Sequence, residues 1–441
     1  MAADSPPPRF ARPVGILSLV IVLAWFSCGF WNFVKPMPPG THVTSLAARL
    51  AESQVDFIDD LPQHGGVLQR EYAVVDRAEQ VIILDQCPLA ADLARRLLMR
   101  RRQRPNLKIV LVTDPRNEVY GGTQVQILNA LEASGIIVAR TRLERLRDSN
   151  PLYSSFWRLG AGWWSDPFDE PPGEVTLISS LRRLNFKANQ RQLLVADDGA
   201  GGWSSIVTSA APRADGVAGN AGLEIRGHLA RDIAASELQI ATWSTDDDRL
   251  PEAPPIENRS VGAIDARFLT EGAIHVALRD AIAAAGGGDS ISVAVREIGD
   301  RQMVTAMLQA ATRGAHLQLL LDPALPANQA VAAELLHNEA ANIDVRWRAS
   351  AVEGDGRFVL IRHGNDAWLH LGSADLTRRD LDDLNLEAGI ELHMPARAAP
   401  ARAVSDTFAR EWSSAAPYAD HADESKETYW RYRLAEAVGF L

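Results

Sequence analysis

The chain has 441 residues, 46% of them apolar, which allows two domains of ordinary size or one large two-lobed body and excludes a disordered polymer. Its net charge of −11 argues against nucleic acid as the main partner, because phosphate backbones are held by clustered Lys and Arg on a basic surface. The two cysteines, Cys28 and Cys87, lie in different contexts and suggest no disulfide framework.

After Pro13 an uncharged run continues to Val34, long enough to cross a bilayer as one helix, so residues 13–34 are read as a transmembrane segment. Arg9 and Arg12 precede it and only Lys35 follows closely. The positive-inside bias then leaves residues 1–12 as a cytoplasmic tail and puts the large domain outside, in a bacterium the periplasmic face of the inner membrane. Trp25, Trp31 and Phe33 suit an interfacial belt, and no small-residue cleavage site follows the run. KPMPPG (Lys35 to Gly40) is a proline-rich exit, and the apolar spacing of Val43 to Val55 predicts a helix, so residues 35–70 read as a stalk or covering helix.

From Glu71 the pattern changes to a strand (Val81 to Leu84), an amphipathic helix (Leu89 to Gln103) and a strand (Leu107 to Thr113) closing on Asp114-Pro115, a β-α-β unit. Arg95, Arg96, Arg100, Arg101, Arg102 and Arg104 load one end of that helix, as a solvated face or as a contact for anionic lipid headgroups. The same order returns with Ile291 to Val295, Arg301 to Arg313 and Leu317 to Leu321, which closes on Asp322-Pro323. Strand starts are 26 residues apart in both copies, and each copy runs on into a further helix, Gln124 to Ala133 or Asn328 to Ala340. The reading is an α/β fold of two duplicated lobes with mixed sheets: residues 71–225 and 261–415, a connector at 226–260, and a C-terminal helix within 416–441. A cleft where two such lobes meet is the natural ligand site.

Between the copies lies an aromatic stretch, Tyr153, Phe156, Trp157, Trp163, Trp164 and Phe168, suited to the membrane interface or to covering the cleft. Three motif regions follow: LRRLNFKANQRQLLVADDG (Leu181 to Gly199), EGDGRFVLIR (Glu353 to Arg362) and LGSADLTRRDLDDLNLEAGIEL (Leu371 to Leu392). The last resembles the second half-site of the phospholipase D superfamily, where a glycine-serine-any-asparagine turn precedes an asparagine-any-glutamate strand. Gly372 and Ser373 match the turn, Asp375 stands in place of its asparagine, and Asn385 and Glu387 match the strand. Leu181 to Gly199 resembles the first histidine-any-lysine motif, with Gln190 at the histidine, Gln192 at the lysine and Asp197 at the retained aspartate. Ser209 matches the first serine turn, with Ala211 where asparagine is expected. In the second motif Asp355, Arg357 and Arg362 stand for histidine, lysine and aspartate.

The resemblance implies a phosphodiester cleft in which one histidine attacks and the other protonates the leaving alcohol. Glutamine does neither, since its amide does not titrate near neutral pH. Ser209, Ser373, Asp375, Asn385, Glu387 and Lys187 remain as candidates for holding a substrate phosphate. Arg182, Arg183, Arg191, Arg378 and Arg379 flank the motifs, either converging on an anion or paired with Asp380, Asp382 and Asp383. His363, His370, His275, His316 and His337 carry no partner pattern, and no metal-ligand spacing or cofactor loop is present, so neither cofactor nor metal is expected. The expectation is a membrane-anchored, catalytically impaired protein that binds membrane lipid, an anionic phospholipid headgroup or a protein partner. The alternative is an active phospholipase D or cardiolipin synthase-like phosphatidyltransferase using atypical residues. The C-terminal segment Asp423 to Val438 reads as a helix that packs on the body or lies at the bilayer surface.

Overall fold

The two β-α-β runs become two sheets with one strand order. In this computed structural model the described residues are 11–60, 66–115, 122–160, 187–211, 219–255, 261–337, 342–348 and 356–437. Helix α1 (Ala11–Val34) comes first, then strand β1 (Leu46–Leu50). The first lobe runs β2 (Val55–Asp59), α2 (Val67–Arg77), β3 (Val81–Asp85), α3 (Ala91–Gln103), β4 (Lys108–Thr113), α4 (Gly122–Ala133) and β5 (Ile137–Arg140). It continues with α5 (Pro151–Leu159), β6 (Leu193–Asp197), β7 (Trp203–Thr208), β8 (Ala221–Arg226) and α6 (His228–Ser244).

The second lobe repeats this as β9 (Ile264–Thr270), α7 (Gly272–Ala284), β10 (Ser290–Ala294), α8 (Arg301–Thr312), β11 (His316–Leu321), α9 (Pro326–His337) and β12 (Ile343–Trp347). Then come β13 (Phe358–His363), β14 (Asp366–Gly372), the short α10 (Arg378–Leu381), β15 (Ala388–Pro395), α11 (Ala399–Ser414), β16 (Ala416–Pro417) and α12 (Lys426–Ala437). The first sheet is ordered β2-β8-β7-β6-β3-β4-β5. The second is β9-β15-β14-β13-β10-β11-β12, with β1 added beside β9 and β16 beside β12. In each, the three strands of the β-α-β part are parallel and the rest antiparallel.

Burial explains the layering. Ile82, Ile83 and Leu84 of β3 are fully buried, as a parallel strand covered on both faces requires. Ile82 and Leu84 join Leu93 and Leu97 of α3 on the outer side, while Ile83 joins the central core with Val195, Ile225 and Ile233. That central core also takes Leu369, Leu371 and Ile390 from the second sheet and Val404 and Phe408 from α11, so the lobes share one apolar interior. Helix α6 lies inside it, which is why 13 of its residues, from Leu229 to Ser244, are buried.

The helix expected over Val43 to Val55 is not formed. Leu46, Ala48 and Leu50 point inward and Ala47 and Arg49 outward, a period of two, and β1 pairs antiparallel with β9. Leu and Ala at these positions satisfy helical and alternating spacing alike, and the open edge of β9 decides between them by offering backbone hydrogen bonds. Most arginines at this end of α3 are paired within the protein: Arg95 with Asp92, Arg96 with Asp76, Arg100 with the carbonyls of Val75 and Ala78, Arg101 with that of Leu107, and Arg104, just after the helix, with Glu79.

Helix α1 is long and apolar enough over Gly15–Val34 to cross a membrane. Its apolar side chains are exposed, Ile16, Phe26, Phe30 and Trp31 among them. Helix α5, the start of the aromatic stretch, lies against it: Ser155 Oγ donates to Trp25 O at 2.6 Å. Gly29 permits this approach, since a Cβ there would stand 2.1 Å from Pro151 O. Trp163, Trp164, Phe168, Arg182, Arg183 and Asp355 lie outside the described residues. Helix α12 packs through Tyr432, whose hydroxyl donates to Gly299 O at 3.0 Å, and leaves Trp430 and Leu434 exposed.

Candidate functional site

The two serine turns are built alike. Ser209 follows β7 and Ser373 follows β14, and both are buried. Ser209 Oγ donates to Asn220 Oδ1 at 2.9 Å and accepts from Ala221 N at 3.1 Å. Ser373 Oγ donates to Glu387 Oε2 at 2.5 Å and accepts from Ala388 N at 3.1 Å. Asn220 is therefore the first-lobe counterpart of Glu387, a correspondence that sequence reading missed. Gly372 is required by close approach, because a Cβ would meet Ala388 O at 2.3 Å.

Arg357 ties these turns together. Its Nη1 donates to Ser209 O in the first lobe and to Ser373 O in the second, the latter at 2.8 Å, and its Nε stands 3.2 Å from Asp375 Oδ1. Asp375 is held in turn by the backbone N–H groups of Arg296 (2.9 Å) and Glu297 (3.1 Å). Asn385 Nδ2 donates to Asp380 Oδ1 at 2.6 Å. Burial, with Asp380 nearby, pushes the Glu387 carboxyl well above the usual carboxylate range, and burial raises Asp375 despite Arg357. Glu297 rises to about 7, first by burial and then by the charge of Asp375.

In the first motif, Gln190 is half-buried and its backbone N–H donates to Leu386 O at 2.9 Å, one of the seams between the lobes. Gln192 Nε2 donates to Cys87 O at 2.9 Å, and its Oε1 has no hydrogen-bond partner among the described residues. Arg191, between them, is fully buried and bridges Glu237 of α6 (2.7 Å) and Glu271 before α7 (2.6 Å). Two expected site residues are engaged elsewhere. Lys187 donates to Leu143 O (3.2 Å) and Leu146 O (2.6 Å) and pairs with Asp148, and burial takes its pKa down to about 7. Asp197 accepts from the backbone N–H groups of Glu79, Gln80, Val81 and Gly199, stapling the entry to β3.

The structure thus gathers Ser209, Ser373, Arg357, Asp375, Asn385 and Glu387 into one buried polar seam and leaves Lys187 and Asp197 on other contacts. The flanking arginines are paired: Arg378 with Asp382 (3.4 Å) and Arg379 with Asp380 (3.8 Å). His370 is buried, and burial takes its pKa down to about 4, so it is neutral. His363 pairs with Asp289 at the surface. His275 does have partners: Asp382 lies 3.2 Å from Nδ1 and Asp300 3.6 Å from Nε2. One ligand atom from each of these three groups lies within 4.8 Å of the others, but the carboxylates face opposite ring nitrogens, as around an imidazolium ion.

The fold and the paired serine turns define a class: the chain has the duplicated fold of the phospholipase D superfamily. Residues 278–412 match the family described as cardiolipin synthase, PLD-like domain. Phosphatidylserine synthase from Haemophilus influenzae Rd KW20 is similar in structure over 93% of this chain and 96% of its own, with a TM-score of 0.53 at 9% identity. Polyphosphate kinase from Porphyromonas gingivalis matches over 92% of this chain and 57% of its own (TM-score 0.49, 12% identity). Nuc, a phospholipase D family member from Salmonella typhimurium, matches over 35% of this chain and 98% of its own (TM-score 0.29, 18% identity). No curated protein sequence matches the chain.

Proposed function

We propose that the chain is a membrane-anchored phospholipase D-like protein whose inherited cleft no longer cleaves phosphodiesters, and which binds a phosphate-bearing anion or a protein partner at the periplasmic membrane surface. The observation that carries this reading is Arg357. A cationic group at a lysine position of a working cleft has to face the substrate phosphate, whereas here the guanidinium is spent on the carbonyls of Ser209 and Ser373. Gln190 and Gln192 supply neither nucleophile nor cation. The buried acids Asp375 and Glu387 can hold protons, but without an attacking partner a proton donor alone leaves the displacement unmade. Helix α1, with its apolar side chains exposed, supports the anchoring.

The test is purified full-length protein given phosphatidylglycerol, phosphatidylcholine and a chromogenic phosphodiester. The reading expects no turnover above a protein-free control. Turnover that disappears in Gln190→Ala or Asp355→Ala overturns it.

A further inference from the structure

Away from the serine turns, the end of α1 forms one wall of a cavity of about 390 Å³. Phe33 and Val34 give that wall its apolar character, and His42, Arg147, His275 and Arg378 come to the cavity from four separate segments. Four basic side chains around one space are notable in a chain of net charge −11. Two carboxylates, Asp382 and Asp383, also line it and act as struts.

Three of these groups are held by the protein through one or two nitrogens and keep another without a bond among the described residues. Arg147 Nη1 pairs with Asp383 at 2.9 Å and its Nε donates to Lys35 O at 2.9 Å, while Nη2 has no bond among the described residues. Arg378 faces Asp382 through Nε at 3.4 Å and Glu436 O through Nη1 at 3.4 Å, again without a bond at Nη2. His42 Nδ1 pairs with Asp383 at 2.9 Å, and its Nε2 has no bond among the described residues. His275 is 6% exposed and lies between two carboxylates, with Asp382 3.2 Å from Nδ1 and Asp300 3.6 Å from Nε2, so it adds positive charge to the wall rather than a free donor. Carboxylate struts of this kind fix the direction of the remaining donors before any ligand arrives.

The backbone is shaped around the same point. Among the described residues the non-glycine positions with left-handed φ are His42 (50°), Glu271 (47°) and Asp383 (61°). They touch one another: His42 N donates to Glu271 Oε2 at 2.7 Å, and Asp383 Oδ1 accepts from His42 and from Gly272 N, at the start of α7. A Cβ at Gly272 would lie 2.8 Å from Asp383 Oδ1 and displace the carboxylate from its partners. Strained residues persist only where their surroundings hold them, and they gather at binding sites.

We infer that this cavity is a phosphate-binding site, with the carrier of the phosphate lying along the Phe33 and Val34 wall. A tetrahedral phosphate accepts from several donors converging from different directions, which matches Arg147 Nη2, Arg378 Nη2 and His42 Nε2 on three segments; a planar carboxylate uses fewer. The volume suits a phosphoglycerol-sized group. A lipid headgroup and a soluble phosphate ester share this chemistry, and the lipid case rests on the proposed anchoring of α1. The site is separate from the Arg357 seam, so binding here needs no open cleft between the serine turns.

Calorimetry on the full chain in maltoside micelles tests this, with dihexanoyl phosphatidylglycerol, glycerol 3-phosphate and phosphate-free dihexanoylglycerol as probes. At least one phosphate probe binds and the phosphate-free one does not. Arg378→Gln and Arg147→Gln each weaken that binding about tenfold, the loss expected for a charge-assisted hydrogen bond. Arg249→Gln, on an exposed arginine paired with Asp247, leaves it unchanged. Tighter binding of the lipid probe assigns a headgroup, and equal binding assigns a soluble ester; both support the site. Absence of binding by both phosphate probes, or binding unaltered in Arg378→Gln, overturns it. Should Arg147→Gln fail to fold because Asp383 loses its partner, Arg378→Gln carries the test. Hydrolysis of the lipid probe that survives Arg378→Gln contradicts the silent cleft instead, so the two failures are distinguishable.

Discussion

The two serine turns share their hydrogen bonds and differ in their electrical surroundings. In the first lobe Ser209 answers to the amide of Asn220, with Gln190 and Gln192 nearby in sequence, all neutral. In the second, Ser373 answers to the carboxyl of Glu387, beside Asp375, while Arg357 donates to the carbonyls of both serines. The lesson is that the architecture and the chemistry of this fold are separable. The same strands and serine turn recur in both halves with different ionisable groups around them.

The contacts that join the lobes should show the largest effects. Arg191→Met leaves Glu237 and Glu271 buried without their cation and is expected to cost about 3–5 kcal/mol in denaturant unfolding. Arg357→Met removes a donor from Ser209 O and Ser373 O and the partner of Asp375, for about 2–4 kcal/mol. If the lobes were held by apolar contact alone, both losses would fall below 1 kcal/mol on the same roughly estimated scale.

A buried acid in each lobe sharpens the comparison through opposite pH dependence. Burial lifts Glu71 of α2 to about 8, so the folded state holds a proton that the unfolded chain releases above its ordinary value of 4.5. Stability from this group is present below pH 4.5 and is lost as pH rises through 8. Glu71→Gln is therefore expected to stabilise by about 2 kcal/mol at pH 9 and to change little at pH 4. Glu391 of β15 has the opposite sign: against the upward push of burial, hydrogen bonds from His393, Arg267 and Trp368 hold it down to about 2. Its contribution is present above pH 4.5 and fades toward pH 2, so Glu391→Gln costs about 2 kcal/mol at pH 7 and little at pH 2. Thermal unfolding across this range checks both signs.

The smallest expected effects belong to the turns themselves. Ser209→Ala and Ser373→Ala each lose one buried hydroxyl pair, about 1 kcal/mol, with the larger loss at Ser373 because it donates to a carboxyl oxygen at 2.5 Å. Equal losses would remove the electrical distinction between the halves.

Much of the fold was legible because its signals are local. The parallel strands are short apolar runs, and the repeat spacing is visible in the numbering. Val43 to Val55 misled because alanine and leucine fit two periods, and only the edge of β9, more than 200 residues away, selects the strand. The site was less legible, since its contacts are long-range. Arg357 reads as a phosphate grip until the fold brings Ser209 O to it across 148 positions. His42 has no pattern of its own, because Glu271 and Asp383 lie 229 and 341 positions away. Lys187 misled for the same reason, its carbonyl partners being 44 and 41 positions distant.

We propose that the chain keeps the scaffold of a phosphodiester cleft while lacking its reactive side chains. The most direct measurement traps a covalent phosphohistidine with labelled phosphatidylglycerol, in the parent and in a variant carrying Gln190→His, Gln192→Lys, Asp355→His, Arg357→Lys, Ala211→Asn and Asp375→Asn. These changes return a nucleophile, a proton donor and two phosphate grips, and remove a carboxylate that repels the substrate. The account predicts no adduct in the parent and a labelled histidine in the folded variant. An adduct in the parent, or a folded variant without one, would contradict it.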